Sequence, residues 1–158
     1  HAARQRGVAV ATTSREGTST WLLGARHVPL ETTRGTACQG GSGISELAAF
    51  GVSQLGNDSF ALELDSALPN ASAVILFSEG QGSLVLGSGC NLLIDMNRYV
   101  TVAAVAIDRL GNGAYAVPIP NLSVLSGATL VAQGVVIDPP GVLGELALTR
   151  AIDLVLGG

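Results

Sequence analysis

The sequence contains no lysine: all eight of its basic residues are arginines, as GC-rich coding would produce. Charged residues make up only 13% of the chain, about half the usual share. Aromatics are scarce, with Phe50, Phe60, Phe77, Tyr99, Tyr115 and Trp21 as the complete set. A core must therefore be assembled from Val, Leu, Ile and Ala, and a sugar-stacking face has few rings to draw on. No apolar stretch approaches the roughly 18 to 20 residues that a membrane-spanning helix needs; the longest, in YVTVAAVAI, ends at Asp108. Familiar hydrolase motifs are missing as well. GVSQL (51–55) fails the last position of a serine elbow. The only histidines are His1 and His27, so a Ser-His-Asp triad would have to recruit His27 from an expected strand. No catalytic residue, metal site or cofactor is expected, and the chain reads as a non-enzyme.

Two cysteines are present, Cys38 in GTACQGG and Cys90 in GSGCNLL. Their separation excludes a CxxC metal or redox site. An isolated pair in a secreted chain reads as one disulfide, which would contribute on the order of 3–4 kcal/mol in the chain-entropy model; two buried free thiols are the alternative. The sequence starts at His1, which fits a start left after removal of a secretory signal, with an expression scar as the other explanation. The expected location is extracellular, at the cell surface.

Acidic residues offer two further candidates. Glu63 with Asp65, or Asp95 with Asp108, could be paired for glycoside hydrolysis, but a solvated strand face explains the first pair better. DRLGNG (108–113) and DMN (95–97) carry oxygen ligands of the kind calcium uses, yet turns favour Asp, Asn and Gly for backbone reasons. The same preference accounts for N-x-S sequons at Asn57, Asn70 and Asn121.

Local patterning predicts an all-β protein. FALEL (60–64) alternates, with Phe60, Leu62 and Leu64 on one face. Further strands are expected at 73–79, 83–86, 91–95, 98–108, 114–120, 128–138 and 145–156, punctuated by Gly, Pro, Asn and Asp. Asn112-Gly113 predicts a hairpin joining 98–108 to 114–120. The last strand should kink around Thr149-Arg150, and 43–51 is either a helical turn or a strand. About eight such strands specify an antiparallel β-sandwich, jelly-roll-like, in a single domain.

The charge is divided. Residues 1–34 carry five arginines against two glutamates, while the remainder carries three arginines against ten acids. The chain thus divides into a basic arm, 1–34, and an acidic body, 35–158. Nucleic-acid binding fits poorly, since the body repels phosphates and the arm has neither lysine nor interleaved aromatics.

From about Gly35 onward the order GTACQGG, DSFALELDSALPNASAVILFS, LGSGCNLLID, PIPNLSVLSGATLVAQGVVID resembles a module of secreted proteins from planctomycetes and similar bacteria. Cys38, Cys90, Pro118, Pro120, Asn121, Leu125, Gly127, Gln133 and Asp138 are the matching positions. The resemblance implies an extracellular β-sandwich with no established catalytic role, and supplies no ligand. The chain departs from that pattern in its arm.

Within the arm, Val8, Ala9, Val10 and Ala11 alternate, Trp21, Leu22 and Leu23 form a second apolar patch, and Arg4, Arg6 and Arg15 surround the first. Such a segment suits donor-strand exchange, in which it completes the sheet of the next subunit, with the arginines docking on an acidic neighbour. Burying Val8, Val10, Trp21 and Leu22 would contribute roughly 6–12 kcal/mol, against about 1–2 kcal/mol of backbone entropy for each ordered residue. A full ladder of backbone hydrogen bonds is therefore required. The expectation is a fibre subunit that polymerises head-to-tail with copies of itself. Pairing of the arm within its own domain, and a secreted adhesion or carbohydrate-binding module, are the alternatives.

Overall fold

The computed structural model describes residues 26–98 and 100–158. The described chain is all-β, with ten strands: β1 (Leu30–Arg34), β2 (Glu46–Phe50), β3 (Ala61–Asp65), β4 (Ser72–Ser78), β5 (Gln81–Gly87), β6 (Cys90–Ile94), β7 (Val100–Ala106), β8 (Gly113–Ala116), β9 (Thr129–Ile137) and β10 (Leu146–Val155). A single 3₁₀ turn spans Ser123–Leu125. The strands form a five-stranded sheet in the order β1-β10-β9-β4-β7, a three-stranded sheet β2-β3-β8, and a β5-β6 ribbon. Every strand pairing within the sheets is antiparallel.

Period-two alternation decides which faces meet. Phe60, Leu62 and Leu64 are buried and pack with Ile75, Val136, Ile152 and Leu154 of the larger sheet in the main core. Side chains of this kind contribute roughly 1.5–3 kcal/mol each when fully buried, so this one contact holds the two sheets face to face. The opposite face of the large sheet is covered over part of its area by β6, where Leu93 and Ile94 pack on Val131 and Ala151. Cys38 and Cys90 form a disulfide with Cα atoms 4.9 Å apart, and it packs on Leu148.

The predicted kink in the last strand is a register shift between Leu148 and Ala151, and two polar side chains organise it. Thr149 Oγ1 accepts the Gly134 N–H at 2.9 Å and donates to the Arg150 carbonyl at 2.7 Å. The Gln133 amide donates to the Thr149 and Asn91 carbonyls and accepts the Leu93 N–H at 2.7 Å. Gln133 is fully buried and joins β9, β10 and β6 through a single side chain.

The structure settles one alternative left open by the sequence, corrects a second expectation and adds to a third. Residues 46–50 are a strand, with Leu47 on the buried side and β3 as partner. The Asn112-Gly113 turn does not make a hairpin of its flanking strands: β7 pairs with β4 and β8 with β3. The turn is tight, with the Asp108 N–H on the Asn112 carbonyl at 2.8 Å, but each flanking strand is claimed by a different sheet, so the chain crosses between layers here. A Cβ at Gly113 would run into Val105 and Ile107, so glycine is required for close approach of the layers.

The third concerns the arm. Its last residues, Leu30–Arg34, are β1 and pair with Ala151–Val155 of β10. Leu30–Arg34 thus pair within their own domain, as the alternative reading of the arm allows, and belong to the large sheet. Apolar patterning does not mark β1, because its side chains are largely exposed and LETTR shows no apolar alternation; what places it is its backbone ladder.

Candidate subunit interface

The entry of the chain into the body is fixed at several points. The His27 carbonyl accepts the Gly158 N–H at 3.0 Å. The Glu31 carboxylate accepts the Ser53 N–H at 2.9 Å. Arg34 pairs with Asp153 at 3.0 Å and donates to the Leu93 carbonyl at 2.9 Å, which locks β1 both to β10 and to the covering ribbon. Arg34 thus serves the body, although its charge was counted with the arm. Val8, Ala9, Val10, Ala11, Trp21, Leu22, Leu23, Arg4, Arg6 and Arg15 lie outside the described residues.

Among the described residues, β1 and β7 are the two edges of the five-stranded sheet, separated by four strand spacings, about 19 Å. Unpaired backbone groups along an edge are a template for another chain, and proteins usually blunt them with charge, proline, bulges or shortness. β1 is short and carries Glu31 and Arg34. β5 has two register shifts against β6, β2 begins at Glu46, and β8 has only four residues. β7 has none of these devices. Its sequence VTVAAVA is uncharged and free of Pro and Gly, and it pairs with β4 over seven consecutive residues without a shift.

The two faces of β7 differ. Ala103 and Val105 are buried toward the three-stranded sheet, whereas Val102, Ala104 and Ala106 are exposed, Val102 at 59%. On that exposed side lies an open apolar groove of about 540 Å³, floored by Ser72, Val74, Ala104 and Ala106 and walled by Val135 and Ile137. Its floor is shallow because the residues on it are small.

The acidic candidates are occupied by turn chemistry. Asp108 Oδ1 accepts the N–H groups of Leu110 and Asn112 at 2.8 and 2.9 Å; the Asn112 bond, followed by that of Leu110, holds its carboxyl below the ordinary aspartate value. Asp95 accepts the Asn97 N–H and pairs with Arg98. Glu63 is half-buried and Asp65 exposed, on the strand face opposite the core for Glu63 and at the strand end for Asp65. Asn57 caps its own loop through Val52 and Ser59. Among the described residues no three His, Cys, Asp or Glu side chains converge as a metal site.

Two buried polar residues were not anticipated as structural from pattern alone. One is Gln133, described above. The other is Asp138, whose Oδ2 accepts the Gly41 N–H at 2.8 Å while Oδ1 has no hydrogen-bond partner among the described residues. A side chain at Gly40 would collide with this carboxylate, and one at Gly41 with Pro140. The glycines around Cys38 thus allow the loop to close over Asp138. No family model matches the chain, nor does any curated protein or solved structure.

Proposed function

We propose that this chain is a structural subunit of an extracellular bacterial fibre, polymerising head-to-tail by insertion of its N-terminal arm into the β-sheet of the next subunit. One observation carries this reading. Among the described residues β7 is an edge of the five-stranded sheet that is uncharged, free of Pro and Gly and paired over seven consecutive residues with β4, the kind of edge to which a further strand can add, and the sequence supplies such a strand in the segment ahead of β1. That segment is basic and strand-like in sequence, it enters at one edge of the sheet, and the body behind it is acidic. The disulfide fits an oxidising compartment, and no helix among the described residues is long and apolar enough to cross a membrane. A strand donated to a neighbour is a heterologous contact, which continues as a filament unless the rotation closes.

Electron microscopy and sedimentation of the full chain, beside a version beginning at Arg26, test the proposal. The shorter version retains β1 and every described core residue. Filaments from the full chain and folded monomers from the shorter one are the expected result. Monomers from both would overturn the reading and turn attention to glycan or surface binding by the body, the activity of an adhesion module.

A further inference from the structure

We infer that the acceptor is the outer edge of β7, and that residues 7–14 of a second copy add to it as a sixth strand. The inference rests on the fibre reading and names the site at which that reading operates. Three observations on different parts of the molecule converge on it.

The first is the edge itself. β7 is the longest strand, with β5, among those bordering a sheet on one side, and unlike β5 it keeps an unbroken register and carries no glycine. An incoming strand needs a straight, continuous row of donors and acceptors, and β7 offers seven residues of it.

The second is the fit of side chains. GVAVATTS (7–14) is uncharged throughout and about as long as β7. Placed in an added strand, Val8 and Val10 share one face and Ala9 and Ala11 the other. On the outer face Ala104 and Ala106 are small and exposed, at the margin of the groove that runs from them over β4 to β9. The inner face is crowded by Val105, Ile107 and the adjoining Gly113 backbone. The larger valines therefore go outward, against the exposed Ala104 and Ala106, and the alanines inward.

The third is the place of attachment. The arm joins the body at β1, the edge opposite β7. Extended, residues 15–25 reach up to about 36 Å at ~3.3 Å per residue, enough to place residues 7–14 on a neighbour whose β7 edge faces this chain's β1 edge. Each subunit then gives from one side of its sheet and accepts on the other. The arginines at 4, 6 and 15 bracket the inserted strand and meet a body of net negative charge, which favours encounter.

Crosslinking of full-length chains with the native disulfide intact tests the assignment. A Val10→Cys chain is mixed with an Ala104→Cys chain, and parallel mixtures use Val85→Cys on β5 or Thr32→Cys on β1 in place of Ala104→Cys. Filaments are scored by microscopy, and linked peptides are quantified after mild oxidation. Links to position 104 at least tenfold above those to 85 or 32 are expected. Filaments whose links favour 85 or 32 would overturn β7 as acceptor while leaving the fibre reading in place. A Val10→Cys/Ala104→Cys double variant that links only within one chain, in monomers, would overturn the exchange between copies. Absence of both filaments and links between chains would overturn the fibre reading and this inference with it.

Discussion

The two edges of the large sheet are made of different material. β1 is five residues long, charged, and clamped from three sides by Asp153, the Leu93 carbonyl and the Ser53 N–H. β7 is seven residues of Val, Thr and Ala with a groove beside it and no charge of its own. Both present backbone groups, so hydrogen-bonding capacity does not separate them. The difference lies in what accompanies the backbone: at β1 side chains fasten the edge to its own body, and at β7 no described strand, charge or bulge stands in the way of a further strand. One edge is closed by design of its side chains and the other is left able to accept.

Substitutions can break this contrast. Val102→Lys with Ala104→Lys puts two ammonium groups on the exposed face of β7, and should abolish assembly of the full chain while changing stability by no more than about 0.5 kcal/mol. Thr32→Lys on β1 should leave assembly intact. Light scattering together with urea unfolding separates the two effects. Gln133→Ala removes the partner of the Leu93 N–H and of two carbonyls inside the sheet, and should cost about 2–4 kcal/mol, read as a lower urea midpoint. It should also loosen the ribbon, seen as faster hydrogen exchange at Leu93.

Smaller effects sharpen the description of β1. Arg34→Ala breaks a partly buried ion pair and a charge-assisted bond to the Leu93 carbonyl, and should cost about 1–2 kcal/mol, with fraying confined to β1 in hydrogen exchange. The smallest effect is at Asp108. Its carboxyl lies below the ordinary aspartate value in the folded chain, so the stability it lends is present above that ordinary value, about pH 4, and is lost as pH falls through the lowered one. An NMR titration should show Asp108 titrating below the ordinary aspartate value, and Asp108→Asn should flatten the acid limb of the stability profile.

Much of this fold is legible in the sequence because burial and periodicity coincide in it. FALEL declares its buried face, and the broken apolar alternation at Thr149-Arg150 marks the bulge. Other features are not written in side-chain pattern. Asn112-Gly113 encodes a tight turn, but whether the strands on either side pair with each other depends on distant competitors, β3 and β4, that the turn does not mention. β1 buries little, so hydropathy passes over it. Gln133 and Asp138 are polar residues in strand and turn context whose burial is decided by what folds over them, which no periodicity in the sequence encodes. The unprotected character of β7 was visible as composition, while its position opposite the arm needed the strand order.

The disulfide has a mechanical meaning in a fibre. Tension passed along the arm arrives at β1, whose five residue pairs with β10 run along the strand and resist as a group in shear. If they give way, the chain can lengthen only by the few residues between Arg34 and Cys38 before the load reaches a covalent bond to β6. The core beyond is shielded from the pull, so a stretched subunit would yield a short length of slack and then hold, able to re-form β1 when the force is released.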